Sequence, residues 1–213
     1  MSQAHLIRLS GLCAIIGGVA IVLARVLQVA LFGSQPLSNH ASQAPFIPAV
    51  GVPGYAGGVF LLLGVIGLYA RQARRLGALG VISFAIAFVG ISLSNAANWV
   101  YAFGSPLLAR LDPQLLSSEF LDERWGSLGP AILVSYLSGG LGWLLLGVIT
   151  LVAKELPIWV GLTMIISMGL AALLPFDTAG PSAILLNLLI AAGPIAFGYA
   201  LWAGQPSVGS AYR

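Results

Sequence analysis

Apolar positions along this chain do not alternate with polar ones but fill six long, nearly continuous stretches, at about 9–33, 50–70, 76–103, 129–153, 157–175 and 182–203. Each is about as long as the 20 or so residues that carry a helix across roughly 30 Å of hydrocarbon. A closed barrel is the other way to satisfy backbone polar groups in lipid, and its strands would alternate. Leu/Ala/Gly-rich continuity therefore predicts an all-α, polytopic transmembrane bundle of six helices. Composition agrees: 59% of residues are hydrophobic and 7% charged, against about 25% charged in an ordinary soluble domain. With most of the chain in apolar runs, residues 1–213 form a single transmembrane domain with no room for a separate soluble one.

Charge sets the expected orientation. Arg8, the basic loop Arg71-Gln72-Ala73-Arg74-Arg75, Lys154 and Arg213 fall on one side of a six-span chain. The other side holds Arg110 and Arg124 together with Asp112, Glu119, Asp122, Glu123 and Asp177. Lys and Arg in short loops resist translocation, so the first side is expected to be cytoplasmic, with both termini inside. Aromatic residues frame the same boundaries: Tyr69, Trp159, Tyr199 and Trp202 near inner ends, and Phe46, Trp99, Tyr101, Phe103 and Trp125 near outer ones. Arg8 followed by Leu9 to Ala24 also reads as the start of a secretory signal, but the apolar run continues past Arg25 to Phe32 without a small-x-small cleavage site. Retention of this helix is the reading consistent with the charge pattern.

Residues 61–71, Leu-Leu-Leu-Gly-Val-Ile-Gly-Leu-Tyr-Ala-Arg, match residues 144–154, Leu-Leu-Leu-Gly-Val-Ile-Thr-Leu-Val-Ala-Lys, at eight of eleven positions. After one residue of slippage, Leu76-Gly77 through Ser83 follows Val160-Gly161 through Ser167. Helix, basic turn and next helix thus recur, which predicts a parallel repeat of hairpins made of helices 2–3 and 4–5. Coincidence within a Leu/Gly/Val-rich alphabet is the competing explanation.

Three phrases at helix ends carry a resemblance: Gly67-Leu68-Tyr69-Ala70-Arg71-Gln72, Leu156-Pro157-Ile158-Trp159-Val160-Gly161 and Gly198-Tyr199-Ala200-Leu201-Trp202. They resemble a family of small multi-pass membrane proteins of bacteria that have no assigned activity. The similarity covers about half the chain. It implies a six-helix fold in the bacterial cytoplasmic (inner) membrane and carries over no functional residue.

Small residues predict how the helices meet, since helices in lipid associate by close contact. Gly17-Gly18, Gly51, Gly54, Gly57-Gly58, Gly64, Gly139-Gly140 and Gly142 supply grooves. Gly54 and Gly58 form a Gly-x-x-x-Gly pair that serves either intramolecular packing, the preferred reading, or a dimer. Pro194 is expected to kink the last helix. In the connection from Gly104 to Gly129, Asp112-Pro113 marks the start of a short outer interfacial helix with Leu115, Leu116, Phe120 and Leu121 on its apolar side. Its acidic residues read as a solvated face.

Polar residues inside the spans gather toward the predicted outer half: Arg25, Gln28, Ser92, Ser94, Asn95, Asn98, Ser135, Tyr136, Ser138 and Asn187. The inner half offers little beyond Ser83, Thr150 and Thr163. A continuous aqueous path needs lining on both sides of the midplane, so the asymmetry points to an outward-facing vestibule closed toward the cytoplasm. Its candidate ligand-binding residues are Arg25, Gln28, Asn95, Asn98, Ser135, Tyr136 and Asn187. Arg25 and Gln28 are three apart, as are Asn95 and Asn98, so each pair shares a helix face. Arg25 either contacts an anion or polar headgroup, or snorkels toward the outer interface.

Catalytic chemistry finds no support. His5 and His40 lie outside the spans, and Cys13 is the single cysteine, so no haem pair, zinc set or histidine-based triad can assemble. No cofactor or metal is expected, and three arginines at 71–75 are too few for a nucleic-acid surface. What remains is a non-catalytic membrane protein, an accessory subunit or a small-ligand or lipid-binding sensor, with membrane lipids and membrane-protein subunits as partners. A small transporter of a polar or anionic solute is the alternative.

Overall fold

A computed structural model describes residues 3–33, 46–111, 126–173 and 181–204. These residues are helical apart from short turns, and no strand occurs among them. The helices are α1 (Gln3–Phe32), α2 (Ile47–Trp99), α3 (Ser105–Leu111), α4 (Leu128–Ala153), α5 (Ile158–Leu173) and α6 (Pro181–Trp202), with a wide π turn at Val100–Gly104 between α2 and α3. Four helical stretches, Gln3–Phe32, Ile47–Gly104, Leu128–Ala153 and Ser182–Trp202, are long and apolar enough to cross a membrane, and α5 is a shorter apolar helix.

At 53 residues, α2 would run about 80 Å if straight, more than twice the hydrocarbon thickness. It folds at Gly77, where φ is 52° and ψ −135°, backbone angles that a side chain would obstruct. Residues 47–76 and 78–99 thereby become two antiparallel arms. Gly51 lies against Ala102, Gly58 against Asn95, and Tyr69 stacks on Phe84 with ring centroids 4.5 Å apart. The expected loop at 71–75 is instead the last turn and a half of the first arm. Gln, Ala and Arg are good helix formers, and Gly77 is the first residue after Leu68 that can take the turning conformation without a Cβ clash. The second reversal falls at Lys154, which caps α4 in the left-handed conformation (φ 52°, ψ 23°) before Pro157 and α5.

The helices close into a ring. α1 packs on α2 and α6, α2 on α4, α4 on α5, and α5 on α6. Nearly every seam is made by glycine. Along α1, Ser10, Ala14, Gly17 and Ala24 meet Gly67, Gly64, Gly57 and Gly54 of α2. A methyl group added at Gly17 would stand 2.8 Å from the Gly57 carbonyl oxygen, so a side chain there would push the backbones apart. Gly11 faces Gly198 of α6, Gly142 faces Ala87, and Gly147 faces Gly161. Gly54 and Gly58 are both used inside the molecule, against α1 and the second arm respectively.

Inside the ring, Leu61, Val65 and Leu68 of the first arm, Trp143 and Leu146 of α4, Val160 and Met164 of α5, and Phe197 of α6 form one buried cluster. Trp143 and Phe197 meet with ring centroids 5.9 Å apart. The outside is as apolar as the inside: Leu79 is 70% exposed, Val134 58% and Leu141 53%. Water would penalise such a surface on every side, whereas lipid does not. These are the properties of a membrane protein.

Arg8, Arg71, Arg74, Arg75 and Lys154 lie at one end of the bundle, called here the basic end, together with both reversals of the chain and the turn at Gly204, against which Arg8 rests. Pro194 is buried within a continuous α6. The interfacial helix expected from Asp112 onward lies outside the described residues.

Candidate functional site

Polar side chains occupy two layers. The first lies away from the basic end, where the second arm of α2 meets α4. Ser94 donates through Oγ to the Ser135 carbonyl at 2.7 Å, and Ser138 donates to the same oxygen at 2.9 Å. Tyr136 donates its hydroxyl to Asn98 Oδ1 at 3.4 Å. Gly139 gives Ser94 the space to approach. These bonds connect segments 38 and 41 residues apart and tie α2 to α4 through polar groups that lipid could not otherwise satisfy.

Asn95 sits in the same layer but turns toward the first arm. Its amide fills the space that a Cβ of residue 58 would take. The residue is 6% exposed, and its Oδ1 has no hydrogen-bond partner among the described residues. A buried amide acceptor without a donor costs on the order of 1–3 kcal/mol. The expected common face of Asn95 and Asn98 is therefore divided, with one amide against Gly58 and the other against Tyr136.

Arg25 is partly buried, and its Nη1 donates to Gln28 Oε1 at 2.6 Å, the pair anticipated from their spacing. At this depth α1 follows the first arm, with Ala24 against Gly54. Ser135 spends its own hydroxyl on the Ala131 carbonyl at 2.7 Å, and Asn187 spends its amide on the Ala183 carbonyl of its own helix at 2.9 Å. The seven anticipated residues thus fall into an Asn98–Tyr136 contact with Ser135 beside it, an Arg25–Gln28 pair, a buried Asn95, and an Asn187 tied to its own backbone.

The second layer, at the basic end, was only partly anticipated. Gln72 and Thr150 are 2% and 1% exposed; Gln72 Nε2 donates to Thr150 Oγ1 at 3.0 Å, and Thr150 donates onward to the Leu146 carbonyl at 2.7 Å. At the rim, Glu155 accepts from Arg75 Nε at 2.8 Å and lies 3.8 Å from Arg71 Nε. Glu155 is the only carboxylate among the described residues. The basic end is thus closed by polar ties as well as by apolar packing. Gln72 and Glu155 each follow the last residue of the matched segments 61–71 and 144–154, a signal present in the sequence.

Among the described residues, no group of three or more His, Cys, Asp and Glu side chains lies close enough to share a metal ion. An open apolar groove of about 300 Å³ runs between α1 and α2 beside Leu6, Ile7, Ile66 and Ala70, and its lining offers no convergent polar chemistry. No family model, curated protein or solved structure matches this chain.

Proposed function

We propose that this chain is a non-catalytic, multi-pass protein of the bacterial inner membrane, with six passes and both termini cytoplasmic. Its working surface is the polar layer between α2 and α4, with Arg25 and Gln28 of α1 at the same outer depth. It binds a small polar molecule or a lipid headgroup there, as a sensor or as an accessory subunit of a larger membrane assembly.

The observation that carries this reading is the Asn95 amide, buried in a layer of otherwise bonded polar groups with its oxygen unmet. A ligand supplying an N–H or O–H donor would complete the layer, and a phosphate or carboxylate on the same ligand would suit the Arg25 guanidinium. Both arms of α2 returning to the basic end, with α4 leaving and α5 entering there, support the six-pass topology.

The test is thermal unfolding of the chain in nanodiscs of uncharged lipid with added phosphatidylethanolamine, phosphatidylglycerol or inorganic phosphate. One of these probes raises the midpoint, and Asn95→Leu and Arg25→Gln each remove the rise. A midpoint unmoved by all three probes in the parent protein overturns the proposal. A transporter is the second reading, favoured by the breakable polar ties at the basic end. Uptake of phosphate into proteoliposomes supports it; ligand shifts without uptake favour binding alone.

A further inference from the structure

At the basic end the chain reverses twice, at Gly77 and at Lys154, and the two reversals are joined by a pair of ties of different character. One is the Gln72–Thr150 bond, closed off from solvent on both sides. The other is the Glu155 carboxylate held by Arg75 and neighboured by Arg71, with Arg75 57% exposed and Glu155 17%. Both run from the end of the first arm of α2 to the end of α4. The close glycine seam between α2 and α4 is made elsewhere, by Gly90 and Ala87 of the second arm against Ser138 and Gly142.

We propose that these contacts form a two-part latch that holds the basic ends of the first arm of α2 and of α4 together, with the ion pair as its release and the amide–hydroxyl bond as its set point. Separating the helix ends strands the Gln72 amide in an apolar interior, while the Thr150 hydroxyl keeps its bond to the Leu146 carbonyl, so the closed state is the resting one. The ion pair sits at the rim, where salt screens it and where an anion, including an anionic lipid headgroup, competes with Glu155 for the arginines. Releasing it leaves the buried bond as the remaining restraint. Gln72 and Glu155 stand one residue past the matched ends of the two copies, 61–71 and 144–154, so each copy contributes the corresponding position to the other. The latch is independent of what the outer layer binds, because it concerns whether the basic end opens at all.

Electron–electron distance measurements test it, on the full chain in nanodiscs carrying Cys13→Ser and spin labels at Arg74→Cys and Ile158→Cys, both exposed positions outside the latch. The parent gives one narrow distance at low salt. Combining Glu155→Gln with Thr150→Val adds a longer distance and raises its population about tenfold or more, the scale of one lost hydrogen bond. Glu155→Arg alone broadens the distribution, and Arg75→Glu with Glu155→Arg restores the narrow one. A single narrow distance in every variant and at every salt concentration overturns the latch. If Thr150→Val prevents folding, the charge-reversal series decides, and failure of the paired reversal to restore the parent distance counts against it.

Discussion

The side-chain amide of Asn95 occupies the volume that a Cβ on Gly58 would need, so the two arms of α2 touch through a buried polar group seated in a glycine notch. Gly58→Ala forces the arms apart or drives the amide from its rotamer. Overpacking of this kind costs about 1–3 kcal/mol, and unfolding of the purified protein in mild detergent should show a loss in that range. Gly54→Ala is the control. There the nearest atom to an added methyl is the Ala24 Cβ at 3.6 Å, an ordinary contact, and stability stays close to the parent's.

Both reversals favour glycine, so losing it at 77 and gaining it at 154 shift stability in opposite directions. Nothing lies within 4 Å of a Cβ built on Gly77, so Gly77→Ala acts through the backbone alone. Holding alanine at these angles costs about 1–3 kcal/mol. Lys154 already stands in the left-handed region with a side chain, and Lys154→Gly relieves it, a gain of about 0.5–1 kcal/mol. Equal effects of the two substitutions on the unfolding midpoint would contradict this assignment of the turns.

Thr150→Val removes the acceptor for Gln72 while preserving shape. The stranded amide costs about 1–3 kcal/mol, and Gln72→Leu added to Thr150→Val recovers most of it, because two apolar groups of matching size need no partner. A double-variant loss equal to the sum of the single losses would show that the two side chains do not interact. Arg75→Ala changes stability by less than about 1 kcal/mol, as expected for a solvent-facing ion pair.

Orientation is open to direct measurement. In a Cys13→Ser background, Arg74→Cys at the basic end and Leu111→Cys at the close of α3 are exposed and lie at opposite ends of the second arm and its extension. In intact cells a membrane-impermeant maleimide labels Leu111→Cys and spares Arg74→Cys, and opened cells allow both. Labelling of Arg74→Cys from outside would invert the proposed topology.

The helices were legible because lipid imposes a coarse rule, that an unbroken apolar run must satisfy its own backbone, and this needs no knowledge of neighbours. The Arg25–Gln28 pair was legible for the same reason, since partners three residues apart on one helix are fixed by its pitch. Three arginines in five residues suggest a loop, yet nothing from Arg71 to Arg75 interrupts a helix, and the actual stop is Gly77, two residues further on. Gln72 and Glu155 each look in the sequence like a solvent-facing residue at a span boundary, and their partners stand 78 and 80 residues away. Spacing placed Asn95 and Asn98 on one face but could not reveal that two different helices border that face. Glycine positions predicted close contact correctly without saying with whom.

Gly11 of α1 and Gly198 of α6 approach so closely that a methyl group on either would meet the other's carbonyl oxygen at 2.6 or 2.7 Å. These surfaces belong to the earliest and latest of the described helices to be translated. At about 5–20 residues per second, α1 waits on the order of ten to forty seconds before its mate emerges. Throughout that interval its glycine stripe is open to whatever neighbouring helix drifts past in the bilayer, so assembly is completed by a late zippering step, and shortening the chain before α6 leaves an adhesive edge rather than a smaller finished bundle.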